Sequence, residues 1–289
     1  MVNTVDPAKA RQERLERWRG HPGVLAGAVM ASVAALVSGG LAGLGFGGLV
    51  EQFRTMAIDS VFDDRGDGEP PYVVVWGSLG VLLCLATAAL AGAAVRRYRG
   101  RSGGTGFPVV LVLAGSTAGT WVSARDWLPP LAVGTAVDPV FHKDEAWGFW
   151  AWVFYYADWW APALLLALTL ATLAYAVAEG RRHAELARTR DRLLAHGCRV
   201  RADVVEVKLR LASDEGGTRV VGSTVTVSYA DAAGVRRWAT RRSRETGLVI
   251  GPGGAEVLFD PARPGDEKSV FVALRRYPVL TDWLPAGRT

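Results

Sequence analysis

Four stretches of this chain carry no charged side chain: residues 23–50, 72–95, 107–123 and 159–178. Crossing a hydrocarbon core about 30 Å thick takes ~20 predominantly apolar residues of helix, so runs of this kind are read first as membrane spans. A water-packed helix keeps a polar face, and these runs have none. The expectation is a four-span helical bundle over residues 22–178, followed by something chemically different. A cleavable signal peptide has an apolar core of only about 7–15 residues. The first run is much longer and is expected to be an uncleaved anchor.

Charge between the runs sets a direction. A basic arm over residues 1–21 holds Lys9, Arg11, Arg14, Arg17 and Arg19; Arg96, Arg97, Arg99 and Arg101 follow the second run; Arg181, Arg182 and His183 close the fourth. The connection after the first run instead carries Glu51, Asp59, Asp63, Asp64, Asp67 and Glu69 against Arg54 and Arg65, and residues 123–146 have only Arg125 and Lys143 as cations. Lys and Arg near span ends favour the cytoplasmic side. The three arginine-rich segments fall on one side of a four-span path, so both termini are expected in the cytoplasm. The net charge of +5 sits mostly beside the apolar runs, where it orients spans. Lysine occurs only as Lys9, Lys143, Lys208 and Lys268, and with abundant Ala, Gly and Val this suggests GC-rich bacterial coding, hence a bacterial cytoplasmic membrane. Two cysteines, Cys84 and Cys198, cannot build a disulfide framework and are read as reduced.

Within the runs, Gly23 and Gly27, Gly39 and Gly43, Gly43 and Gly47, and Gly115 and Gly119 stand four apart. Small residues aligned on one helix face let backbones approach, either inside one bundle or between two copies as a homo-oligomer. Ser116, Thr117 and Thr120 can return hydrogen bonds to helix carbonyls. The aromatic cluster at Trp147, Phe149, Trp150, Trp152, Phe154, Tyr155, Tyr156, Trp159 and Trp160 reads as an interfacial belt. Asp158 lies within it and has two readings. An intramembrane carboxylate suggests a proton or ion path, whereas capping of the last span at the outer interface needs only an N-terminal position, which Pro162 in the first turn supports. Capping is the stronger reading.

Metal chemistry finds little support. In the acidic stretch over residues 63–69, Arg65 occupies a ligand position of a calcium loop and Val74 stands where its closing glutamate belongs. His142 with Asp138, Asp144 and Glu145 lacks a second histidine. No phosphate-cradling, zinc-protease or nucleophile-elbow motif occurs, so no enzyme activity, cofactor or metal is expected.

After the fourth run the pattern changes. Residues 179–196, with Leu186, Leu193 and Leu194 among charges, read as a helical stalk that Gly197 ends. Beyond it Val205, Val207, Leu209 and Leu211 alternate with Glu206, Lys208 and Arg210, the period of a strand with one buried face. Val200, Ala202 and Val204 keep the opposite phase, so a β-bulge at Val204 and Val205 is expected to restore a single inward face. Further strands are expected over residues 220–229, with Val225, Val227 and Tyr229 sharing one face, then 235–241, 256–259 and 269–272. Turns fall at residues 230–234 and 247–254. The sum is a small all-β cytoplasmic domain, a five-stranded barrel or sandwich over residues 197–277, with residues 278–289 as a tail.

Three clusters in this domain carry a resemblance. Gly197, Val200, Ala202, Val204 and Val207 open it, Val227, Tyr229, Asp231 and Gly234 stand in its middle, and Asp260, Pro261, Ala262, Arg263 and Pro264 close it. Together they resemble an uncharacterised bacterial domain of small membrane proteins, in which the aromatic before Asp-Pro is commonly Tyr where this chain has Phe259. The resemblance implies a small β fold and no established activity. The residues by themselves imply turn chemistry: Asp260 bonding backbone amides in a path fixed by Pro261 and Pro264.

One basic set remains: Arg236, Arg237, Arg241, Arg242 and Arg244, with Trp238 interleaved. A solvated strand face is the plainest reading. With no recognition helix in view, contact of Arg236, Arg237, Trp238, Arg241 and Arg242 with anionic lipid or a protein partner fits better than nucleic acid. The function expected from the whole is a non-enzymatic membrane-anchored interaction or scaffolding module presenting its β domain to a protein partner; the alternative is a small transporter or channel component with Asp158, Glu51 or Arg54 along its path.

Overall fold

The computed structural model describes residues 17–59, 72–99, 106–214, 217–243, 254–266, 269–275, 278 and 280–287. Lys9, Arg11, Arg14, the acidic stretch over residues 63–69, Arg101, Arg244, Lys268 and most of the turn at residues 247–254 lie outside the described residues. The chain divides into two compact units, Met1–Gly180 and Arg181–Thr289.

The first unit is helical. Helix α1 spans Pro22–Ile58, α2 Tyr72–Arg99, α3 Gly106–Arg125, α4 Phe149–Tyr155, and α5 begins at Ala157 and runs unbroken to His196. Four of these, all but α4, are long and apolar enough to cross a membrane. Helix α1 starts where its sequence dictates: Pro22 fits a position whose N–H has no helical partner, and the His21 imidazole accepts from the Gly23 amide at 3.2 Å. At 37 residues it is about 55 Å long, so its ends reach past any hydrocarbon core.

Helix α1 packs against both α2 and α3, and glycine makes each approach possible. Gly45 of α1 and Gly77 of α2 stand backbone to backbone, and Gly80 faces the Leu41 and Ala42 backbone. On the α3 side, Gly39 and Gly43 lie on the Val112 and Ser116 carbonyls, while Gly115 and Gly119 lie on those of Leu36 and Gly40. A Cβ at any of these positions would overlap main-chain atoms of the neighbouring helix. The glycine faces expected to serve either a bundle or a second copy are thus filled from within the chain, except Gly23–Gly27, where Gly27 faces open space.

Hydroxyls finish the job. Ser38 of α1 meets Thr87 of α2 at 3.0 Å, the Thr120 hydroxyl of α3 donates to the Gly43 carbonyl at 3.0 Å, and Thr117 meets Thr169 of α5 at 3.1 Å. Thr117 also returns a bond to Leu113 within its own helix, as expected, whereas Thr120 reaches across to α1. Large side chains such as Met30, Leu82, Leu85 and Leu164 face outward.

Between α3 and α5 the chain forms a small cap that the periodicity did not announce. Two-residue strands β1, Thr135–Ala136, and β2, Glu145–Ala146, pair antiparallel. Trp147 then hydrogen-bonds its indole to the Ile58 carbonyl at 2.8 Å and packs against Trp152 and Tyr155. Part of the expected aromatic belt is therefore interior packing.

The second unit is a six-stranded antiparallel sheet in the order β5-β4-β3-β6-β7-β8. Its strands are β3 Cys198–Asp214, β4 Gly217–Ala230, β5 Arg236–Ser243, β6 Ala255–Phe259, β7 Phe271–Ala273 and β8 Leu284–Pro285. The expected bulge is present: the β3–β4 register shifts between Val204 and Glu206. It puts Val204 and Val207 on the same face, opposite Val227 and Val225. The sheet curls around a core of Ala202, Val225, Val227, Tyr229, Ala239, Val257, Phe259 and Val272.

Two expectations need correction. The fold is a curled half-barrel and neither a closed barrel nor a sandwich. No ladder joins β5 to β8 among the described residues; the Gly287 amide donates to the Thr240 carbonyl at 2.9 Å, and Arg241 reaches across to the Val272 carbonyl. Nor are residues 278–289 merely a tail. Trp283 is buried with Leu193, Leu258, Phe271 and Ala273, and Leu284–Pro285 adds the sixth strand. Leu193 is the last buried residue of α5, so the end of the helix covers the sheet's outer side at β6 and β7. Gly197, expected as a helix stop, serves through close approach: its Cβ would crowd the Leu193 and Phe259 carbonyls.

Candidate functional site

In the helical unit two charged residues of α1 hold the loop that follows α3. Glu51 accepts from the Leu128 amide at 2.9 Å, and Arg54 donates to the Leu128 carbonyl at 2.7 Å while its guanidinium lies 5.9 Å from the Trp127 ring centre. One turn of α1 thereby grips both sides of a single residue in the loop after α3. Asp158 is exposed and stands in the first turn of α5, where a negative charge suits the helix dipole. The residue capping that helix is Tyr156, whose carbonyl accepts from the Trp159 and Trp160 amides, each at 3.1 Å. Asp158 thus stands two residues past the capping position.

The His142 segment is a turn. Asp138 accepts from the Val140 and Phe141 amides, each at 2.9 Å, Asp144 accepts from the Asp138 amide at 3.1 Å, and His142 takes a left-handed φ of 50°. Among the described residues no group of three His, Cys, Asp or Glu side chains is placed to hold a metal ion. Both cysteines are free.

In the β unit the motif residues converge on one corner. Asp231 accepts from the Ala233 and Val235 amides, each at 2.9 Å, and from Arg237 Nε at 2.7 Å. The Arg237 guanidinium, then the two amides, hold its carboxyl below the usual carboxylate range against the opposing effect of burial. Gly234 closes the turn at φ 78°, a conformation glycine adopts without strain. Tyr229 packs on Phe259 with ring centres 5.4 Å apart and donates its hydroxyl to the Pro264 carbonyl at 3.4 Å. Burial pushes the Tyr229 phenol upward, which Arg237 partly offsets. Asp260 accepts from the Ala262 amide at 3.0 Å, as its turn chemistry requires. An ionised carboxylate sealed by a guanidinium and amides, beside a phenol held neutral, supplies cohesion and no activated nucleophile.

Strand β5 divides the basic set between the two faces of the sheet. Arg236, Trp238 and Arg242 alternate on the outer face, where Arg236 donates to Ser228 at 3.1 Å and Trp238 is exposed. Arg237 and Arg241 point inward. Arg241, expected among the surface contacts, is buried; its Nη1 donates to the Val272 carbonyl at 2.6 Å and the Asp282 carbonyl at 3.0 Å. It ties β5 to the far end of the sheet and cannot touch a partner.

The largest departure from expectation is on β3. Its inward face is sealed only at the start: Ala202 is 2% exposed, but Val207, Leu209 and Leu211 are 41%, 55% and 61% exposed. Among the described residues, β6 pairs β3 from Cys198 to Ala202, and β5 pairs β4 from Ser223, which stands opposite Leu209, onward. Among the described residues β5 thus backs the hairpin as far as Leu209, and only from Arg210 to Asp214 is it two-stranded, while Val207, Leu209 and Leu211 all stay exposed. Period-two alternation announced an apolar face correctly but carries no information about what covers it. No family model, curated protein or solved structure matches the chain.

Proposed function

We propose that this chain is a multi-pass protein of a bacterial cytoplasmic membrane, with both termini in the cytoplasm, that acts as a non-enzymatic interaction module presenting its β unit to a protein partner. The membrane part draws support from four long apolar helices whose bulky side chains face outward and whose arginine-rich ends alternate with acidic connections. The interaction part rests on one observation: among the described residues, Glu206 to Asp214 of β3 has a ladder with β4 alone and carries exposed aliphatic side chains, the combination that strand-adding partners use. Arg236, Trp238 and Arg242 on the outer face supply a second, basic surface suited to anionic lipid.

The transport reading has less behind it, since Glu51 and Arg54 both bind the Leu128 main chain. A detergent pull-down of the full chain tests the proposal: a specific protein should be recovered and then lost on deleting residues 197–289. A reporter fused after Thr289 should be active only in the cytoplasm. Recovery of nothing above background refutes the interaction reading, and solute flux abolished by Asp158→Asn favours the transport reading instead.

A further inference from the structure

Resting on the membrane reading of the helical unit, and on no protein partner, we infer that the turn before α1 and the last turn of α2 together bind the phosphate of an anionic lipid headgroup. The chain does not simply run straight into α1. Trp18 to His21 make a tight turn, in which the His21 amide donates to the Trp18 carbonyl at 3.3 Å and Gly20, third in the turn, takes a φ of 71°. The Trp18 ring, half exposed, meets His21 edge-on with ring centres 5.8 Å apart.

This turn docks on α2, because the Gly20 amide donates to the Tyr98 carbonyl at 3.2 Å. Arg19 precedes Gly20, and Arg97 and Arg99 flank Tyr98. Arginines from two separate segments therefore leave the main chain side by side. Arg96 adds a guanidinium from below: its Nη1 lies 3.4 Å from where a Gly92 Cβ would stand, one turn back into the apolar run and next to Pro108 of α3. A guanidinium drawn toward hydrocarbon is stabilised by an anion, and lipid phosphate is the anion present at that depth.

Charge counting makes the site cationic whatever pairs form locally. Residues 1–21 carry five Lys and Arg against three carboxylates, and residues 96–105 carry four Arg and no carboxylate, so six cations remain even with every one of those carboxylates paired. Depth then selects the class of ligand. The arginines sit where apolar runs end, and Trp18 beside them has the amphipathic ring that favours the headgroup level. A nucleic acid or an acidic protein would use the charge but would have no use for that position.

The test uses the full chain in a nonionic detergent, titrated with phosphatidylglycerol or phosphatidylcholine and followed by native mass spectrometry. Phosphatidylglycerol should bind about tenfold more tightly. Arg19→Gln and Arg99→Gln should each weaken its binding about fivefold, and the two together about twentyfold. Arg125→Gln, at the opposite end of α3, should leave it within about twofold. Unchanged thermal unfolding midpoints, and a reporter after Thr289 that stays cytoplasmic, show that the variants fold and insert as the parent does. Inorganic phosphate at matched concentration should not displace the lipid; equal displacement would assign the site to free phosphate and overturn the inference. Equal affinity for the two lipids, a loss in only one of the two single variants, or a loss on Arg236→Gln alone, which would place the lipid on β5, also overturns it and leaves the membrane reading intact. A chain recovered from cells without detergent ends both.

Discussion

The two units obey opposite packing rules. Where the long helices cross, small residues such as Ala28, Ala35, Ser38, Gly39, Gly43 and Thr120 are buried, while Met30, Leu82 and Leu85 point away. Inside the β unit the buried positions are Val225, Val227, Val257, Phe259 and Val272, and charges populate the outside. In water a fold gains most by hiding bulky apolar groups. In hydrocarbon that gain vanishes, since lipid tails are as apolar as leucine, and close backbone contact with interhelical hydrogen bonds remains to hold helices together. The contrast supports the proposed membrane placement more directly than hydropathy does, because it concerns which side chains face which way.

Mutation can break this contrast from either end. Phe259→Ala empties a fully buried site beside Tyr229 and should cost the β unit about 3–5 kcal/mol, read as a lowered denaturation midpoint of that unit. The same kind of truncation at Leu85 should leave the helical unit within about 0.5 kcal/mol of the parent in detergent. If Leu85→Ala is as damaging as Phe259→Ala, the helices are packed as in water and the membrane reading fails. The reverse change comes next in size. Gly43→Leu drives a side chain into the Ser116 main chain, a contact no rotamer relieves, and should cost about 3 kcal/mol. Gly27→Leu, facing open space, should be silent in the same titration.

The buried cation sharpens the β side. Arg241→Met keeps most of the volume but leaves the Val272 and Asp282 carbonyls without their donor, and should cost about 2 kcal/mol. Because Arg241 also joins the two ends of the half-barrel, hydrogen exchange should rise at β5 and β8 together. A smaller effect is expected at Asp231, with a definite pH signature. Its carboxyl titrates lower folded than unfolded, so its contribution is present above the ordinary carboxylate range and fades as pH falls through the lower folded value. The gap in unfolding midpoint between the parent and Asp231→Asn should therefore narrow on acidification. A gap independent of pH would mean that the carboxylate's charge is irrelevant.

The sequence was most informative where one residue's chemistry suffices. Uncharged runs marked the long helices, the phase slip at Val204 and Val205 marked the bulge, and Asp231, Gly234 and Asp260 marked their turns. It was silent where an outcome depends on a distant partner. A two-residue strand such as Leu284–Pro285 has no period to detect, and Trp283 anchors it through Leu193 and Phe271, far away in the chain. Alternation around Arg237 and Arg241 assigned them to a strand but not to its inner face, because arginine on an inward position mimics a solvated edge until a carbonyl acceptor arrives from β7. Likewise Val207, Leu209 and Leu211 read as core, and alternation within one strand does not reveal that they stay exposed.

The smallest expected effect probes the rule on which the comparison stands. The Thr120 hydroxyl is fully buried and donates to the Gly43 carbonyl, at one of the close approaches of α1 and α3. Thr120→Val removes that bond while preserving shape, so it separates hydrogen bonding from close contact at one crossing. Hydrogen bonds between helices in a membrane contribute about 0.5–2 kcal/mol, since the separated helices find other partners for the same groups. The expected loss is about 0.6 kcal/mol, well below that for Gly43→Leu at the same crossing. Measured together in one detergent titration, the two variants weigh contact against polarity, and a Thr120→Val penalty equal to that of Gly43→Leu would mean that the hydroxyl, and not the missing Cβ, holds these helices together.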